Sequence, residues 1–203
     1  MNKCITVILA WAWSYMAFAV APHNLLIQKF DNIQSIDAHF NQVVYMNGRR
    51  VSNSQGQFLV SRPGKLRWSV TSPHQQLFVA DGKTIWIYEP ELKQVTQKAQ
   101  SKGLGGTAGL FLSNQPSLWI QRYKVTIPQG GANTIFELKA KTSRTPFSRV
   151  LLIFKQDTLV GLEFWDQLGQ NSQITLSKVK MNNAIPMHMF HFTPPAHTDK
   201  INL

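Results

Sequence analysis

The feature that most restricts what this chain can become is a run of period-two alternation between Arg62 and Pro90, broken by the turn pairs Pro63-Gly64 and Asp81-Gly82. Such pairs supply backbone angles that strands cannot use, so apolar–polar alternation on either side of them reads as consecutive antiparallel strands joined by tight turns. Side chains alternate across a strand. Leu66, Trp68 and Val70 therefore share one face of the first strand, and Thr84, Trp86 and Tyr88 share one face of a later one. Large aromatics repeated on single faces of neighbouring strands need either a packed core or an apolar guest.

The same reading extends in both directions. Pro22 to Ile36 places Leu25, Leu26, Phe30 and Ile33 along one helical face, with Pro22 suited to a first turn. An amphipathic helix laid on a sheet is expected there. From Asp37 the period becomes two, and Asn47-Gly48 is the strongest hairpin signal in the chain. Strands are expected at 38–46, 54–61, 65–70, 75–80, 84–88, 92–98, 121–127, 134–140, 150–154, 159–165 and 172–180. The run 150–154 is continuously apolar, which suggests burial on both faces. After Pro195 the chain is expected to fray. These about eleven short strands predict a mainly β fold: an incomplete antiparallel barrel or a large sheet with few helices.

Glycines at 103, 105, 106 and 109 interrupt the strands, followed by the apolar tip Leu110-Phe111-Leu112. A phosphate-cradling loop would end in Gly-Lys-Ser/Thr, and this one does not. A loop carrying an apolar plug and an ordinary surface loop both fit.

The N-terminus sets the compartment. A short positive start at Met1-Asn2-Lys3 leads into an apolar run from Cys4 to Phe18, then Ala17-Phe18-Ala19. That is the form of a secretory signal peptide cleaved after Ala19, and the run is shorter than the roughly 20 residues that span a bilayer. Residues 20–203 then form one expected domain, without cysteine and so without a disulfide or thiolate metal site. The formal charge of +11, from 21 Lys and Arg against 10 Asp and Glu, favours anionic partners. Secretion and the scatter of the basic residues argue against nucleic acid.

Catalytic signatures are missing: no Gly-x-Ser-x-Gly elbow, no His-Glu-x-x-His pair and no dinucleotide fingerprint. His188 and His191, beside Met187 and Met189, fall short of the three or four converging ligands of a metal site. No enzyme activity, cofactor or metal is expected.

Several groups of residues together resemble the outer-membrane lipoprotein carrier protein (LolA) family of Gram-negative periplasms. They are Ile36-Asp37-Ala38-His39-Phe40-Asn41-Gln42, Arg62-Pro63, Trp68, Ser72-Pro73, Asp81-Gly82-Lys83-Thr84, Trp86-Ile87-Tyr88 with Pro90, and Phe190-His191-Phe192-Thr193-Pro194-Pro195. The resemblance implies an unclosed antiparallel barrel with a helical lid over an apolar cavity that shelters the acyl chains of a lipoprotein. It also implies that cargo comes from an inner-membrane ABC exporter and passes to an outer-membrane receptor, with the carrier a monomer. On this resemblance Arg62 latches the lid by hydrogen bonds to backbone carbonyls. Leu66, Trp68, Val70, Trp86, Tyr88, Leu110 and Phe111 are then expected to line the cavity, and Leu25 and Phe30 to form the helix face. Leu66 stands where many members carry Phe, and the glycine-rich loop is this chain's own. Carriage of another envelope lipid or glycolipid, or an envelope sensing module without a cavity, are the alternatives.

Overall fold

The computed structural model describes residues 21–102, 121–128 and 131–203. Helix α1 (Pro22–Asp31) leads into β1 (Ser35–Met46) and β2 (Arg49–Ser61), followed by β3 (Lys65–Ser72), β4 (Gln76–Asp81), β5 (Thr84–Glu89) and β6 (Gln94–Ala99). Beyond the glycine-rich segment come β7 (Tyr123–Thr126), β8 (Thr134–Ala140), β9 (Phe147–Lys155), β10 (Thr158–Asp166) and β11 (Asn171–Met181), then β12 (Asp199–Asn202). All join one sheet in the order β12-β6-β5-β4-β3-β2-β1-β11-β10-β9-β8-β7, whose two end strands do not pair with each other. The barrel is unclosed.

Local chemistry accounts for the long β1–β2 hairpin. Asn47 and Gly48 have φ of 51° and 73°, the two positive values that a two-residue turn matched to strand twist requires. Within β2, Gly56 sits where a Cβ would lie 1.8 Å from the Ser69 carbonyl oxygen and 2.9 Å from the Phe40 ring, so a side chain there would push β3 away.

The register divides the sheet into an inner and an outer face. On the inner face, Ile36, Ala38 and Phe40 of β1 meet Phe58 and Val60 of β2, then Leu66 of β3, Ala80 of β4 and Ile85 of β5. These residues form one apolar core with Phe136, Leu138, Val150, Leu152 and Phe154 from β8 and β9. Helix α1 lies over it: Leu26 and Phe30 are buried, and the Phe30 ring meets Phe154 edge-on at 6.3 Å. The outer face of β2 to β6 carries a second buried group, Leu59, Val79 and Val95, with Phe190 from the 3-10 turn Met187–Phe190. The Arg67 guanidinium donates to the Met189 carbonyl at 3.2 Å and fastens this strap.

Three expectations change. Twelve strands form among the described residues, because the tail does not fray: β12 runs parallel to β6, with the Asp199 and Leu203 amides donating to the Lys93 and Gln97 carbonyls. Strand β9 is not buried on both faces; Val150, Leu152 and Phe154 are buried while Leu151 and Ile153 stay half-covered, since only its inner side meets another layer. Helix α1 stops at Asp31 rather than Ile36, and Ile33, already past the helix, still reaches the core.

Candidate functional site

The site is the inner face beneath α1, at the end where β2 turns into β3. Arg62 follows directly on β2. Its Nη1 donates to the Phe30 carbonyl at 2.7 Å, its backbone amide donates to the Gln34 carbonyl at 2.9 Å, and its guanidinium lies 5.5 Å from the Phe30 ring centroid. Phe30 is in the last turn of the helix, where carbonyls lack intrahelical donors, so a cation that donates there suits both the bond and the helix dipole. Burial pulls the Arg62 pKa down from its ordinary value, and the nearby Asp31 charge opposes that fall. The Arg62 Nε is buried without a hydrogen-bond partner. A part-buried cation with one guanidinium nitrogen unpaired is a costly way to hold a helix.

Two further ties hold α1, and neither was read from the sequence. Lys29 forms an ion pair with Asp157 and donates to the Gln156 carbonyl at 2.9 Å, in the turn between β9 and β10. Asn182, just past β11, donates from Nδ2 to the Asn32 carbonyl at 2.9 Å and accepts from the Gln34 amide at 2.8 Å. The helix thus rests on the apolar core and is fixed at its rim by polar bonds to three separate strand ends.

Of the expected lining residues, Leu66 is fully buried in the wall. Trp68 stands beside it, half-buried, its ring 4.4 Å from Phe40 and 5.1 Å from Phe58. Val70 is half-buried on the same face, as is Leu25 on the helix. Trp86 and Tyr88, expected on the same face as Trp68, are placed elsewhere. Trp68 pairs with Phe78 and Phe78 with Ile87, whereas Arg67 pairs with Val79 and Val79 with Trp86. Directly paired residues share a face, so Trp86 and Tyr88 lie outside, 5.9 Å and 5.5 Å from the Phe192 ring of the strap. Phe78 and Ile87 take the inner positions instead, half-buried against the core. The cause is legible afterwards: β5 is apolar on both faces, so alternation alone cannot choose between Ile85 and Ile87 and their neighbours Trp86 and Tyr88. Leu110 and Phe111 lie outside the described residues. No group of three or more metal-ligating side chains forms among the described residues.

A row of half-buried apolar side chains, Trp68, Val70, Phe78 and Ile87, borders the buried core, and the helix beside it is held by polar bonds at its rim. Fold and site together define a class: open β-barrels with an apolar concave face under a pinned helix. The family model for "Outer membrane lipoprotein carrier protein LolA" matches residues 31–193. An outer-membrane lipoprotein carrier protein of Legionella pneumophila (strain Corby) is 42% identical over 201 residues, covering 99% of each chain. One of Dechloromonas aromatica is 36% identical, covering 84% of this chain and 82% of that one. The chain belongs to the LolA family. Among solved structures, an uncharacterized conserved protein of Thermus thermophilus shares the fold, with a TM-score of 0.55 at 11% identity over 89% of this chain and 98% of that one.

Proposed function

We propose that the protein is a periplasmic lipoprotein carrier without catalytic activity, reached through cleavage of residues 1–19 and working as a monomer. Acyl chains of a lipoprotein lie against Trp68, Val70, Phe78 and Ile87, with Leu66 as the wall behind them and Leu25 and Phe30 on the helix above. An inner-membrane ABC exporter supplies the cargo and an outer-membrane receptor takes it. The observation that carries this reading is the Arg62 bond to the Phe30 carbonyl at the edge of an apolar face whose side chains, among the described residues, are only partly buried. An acyl chain in water loses about 0.8 kcal/mol per methylene relative to a buried one, so an apolar shelter is needed for transit. Release requires the opposite tendency. A helix held by bonds worth about 1–3 kcal/mol each can yield to cargo and re-form when it leaves.

The experiment is binding of a synthetic triacylated peptide and of the same peptide without acyl chains, followed by isothermal titration or fluorescence anisotropy. The acylated form is expected to bind and the bare peptide not to. Equal binding of both would overturn the reading. Mass spectrometry of lipid co-purified with the native protein separates a lipoprotein carrier from a carrier of another envelope lipid.

A further inference from the structure

A second site lies on the opposite face, far from the helix, at the tips of two neighbouring hairpins. Trp165 of β10, Asn171 of β11 and Tyr45 of β1 are successive cross-strand partners, so all three project from the outer face in one row. They line a cavity of about 290 Å³ together with Asn47, Gln173 and the turn glycines Gly48 and Gly169. The Asn171 Nδ2 is buried and has no hydrogen-bond partner.

The walls of this cavity are held in advance. Arg149 stacks on Trp165, its guanidinium carbon 4.5 Å from the ring centroid. Arg149 Nε in turn donates to Glu137 Oε1 at 2.7 Å. Burial of Glu137 raises its pKa, but the Arg149 hydrogen bond and the charges of Arg149 and Lys139 outweigh that and keep the carboxyl below its ordinary range. Arg149 comes from β9, on the side of β10 away from Asn171, so the other face of the indole is left for the cavity. The hairpin beyond is also fixed: Asp166 Oδ1 accepts from the Leu168 and Gln170 amides at 2.8 and 2.9 Å.

Strand spacing sets the width. Trp165 and Tyr45 are two strands apart, which is roughly 10 Å. Asn171, on the strand between them, forms the floor of that gap. Among the described residues no ionised side chain lines the cavity, and three amides do. Aromatic walls take the C–H face of a sugar, because their π faces are negative. Amides both donate to and accept from hydroxyl and acetamido groups. We propose that Trp165, Asn171 and Tyr45 form a binding site for an uncharged pyranose unit of a glycan, with Asn171 between the two aromatic residues and Arg149 as the residue that positions Trp165.

The test is an NMR titration of the 15N-labelled protein with tri-N-acetylchitotriose and, separately, with maltotriose. Saturable shifts of the Trp165 indole N–H and the Asn171 side-chain amide are expected with at least one of them. A response to the first sugar alone assigns the acetamido group as the recognised feature; a response to both assigns the ring. Trp165→Ala and Asn171→Leu should each weaken binding about tenfold or more. Asn171→Leu keeps both aromatic walls, so the question stays open to test even if Trp165→Ala fails to fold. Arg149→Lys keeps the charge but not the flat stacking surface. It should shift the indole resonance before any sugar is added and weaken binding less than the loss of Trp165. No saturable shift at these two groups with either sugar overturns the proposal, as does binding unchanged in both Trp165→Ala and Asn171→Leu. Binding of acylated peptide should be unaffected in these variants, so this site and the inner face fail independently.

Discussion

On the inner face of β3 to β5, Leu66, Ala80 and Ile85 are buried while Trp68, Phe78 and Ile87 stay half-buried beside a helix pinned by polar bonds; on the outer face Val79 is buried while Trp86 and Tyr88 are half-buried against the chain's own C-terminal strap. Both faces carry comparable aromatic residues. What differs is the roof. The strap brings its own apolar side chains, Phe190 and Phe192, and is followed by a strand that pairs with β6. Helix α1 brings Leu26 and Phe30 to the middle of the core but leaves the apolar margin next to it partly uncovered. Apolar area covered by the chain itself stabilises the fold; apolar area left at a margin is available to a guest. The comparison teaches that presence of tryptophan says little, and the nature of its cover says more.

The largest effect that could break this contrast is on the outer face. Phe190 is fully buried there, so Phe190→Ala should destabilise the protein by about 3–5 kcal/mol. Urea denaturation measures it, and affinity for acylated peptide should be unchanged in the folded fraction. A loss of that affinity comparable to the inner-face variants would mean that the strap, too, contacts cargo.

Next comes Trp68. It is only half-buried, so Trp68→Ala should lower stability less, by about 1–3 kcal/mol. Its expected signature is in binding. Loss of contact with about two methylenes of acyl chain removes about 1.6 kcal/mol, or somewhat more than a tenfold fall in affinity. Trp86→Ala, on the strap side, is the matched control. If Trp86→Ala weakens acyl binding as much as Trp68→Ala does, the two faces are not functionally distinct.

Smaller still is the change at the latch. Arg62→Leu removes the bond to the Phe30 carbonyl but also relieves a part-buried cation whose Nε has no partner. Global stability should therefore move little, while Lys29 and Asn182 keep the helix attached. Local opening is the sensitive measurement. Amide exchange in α1 should accelerate about tenfold, without a matching change in the strands of the β1–β2 hairpin. Unchanged protection of α1 would remove Arg62 from the latch and leave Lys29 and Asn182 as the ties that matter.

Much of this was legible in the sequence because the informative signals were local. Turn pairs at Asn47-Gly48 and Asp81-Gly82 have one backbone meaning, and alternation in β3 assigns a face because Lys65, Arg67, Ser69 and Thr71 make one side polar. Arg62 entered through resemblance to a family, not through its own spacing. Three kinds of information were not available. Strand β5 is apolar on both sides, so nothing local shows that Ile87 rather than Trp86 faces the core. The parallel pairing of β12 depends on residues about a hundred positions away, on β6, which a short polar tail does not announce. The ties made by Lys29 and Asn182 are long-range side-chain contacts, visible only once the strand ends come together.

The smallest expected effect sharpens the contrast on the outer face itself, away from the strap. Glu163 projects from β10 between Leu151 of β9 and Gln173 of β11. Burial raises its pKa, and the charge of Arg149 only partly opposes this. A carboxyl whose pKa is higher folded than unfolded holds its proton more tightly in the native state. Its contribution is fully present below the unfolded value of about 4.3, and is lost as pH rises through the folded value. Glu163→Gln has no such loss. The variant should therefore gain stability relative to the parent as pH rises across that window, and the difference should then stay constant. Partial exposure screens the charge, so the gain is small, and urea midpoints at paired pH values are the way to see it. A difference that grew in the opposite direction, toward acid, would mean that the Arg149 charge outweighs burial at this position and that this end of the outer face is held by ion pairing.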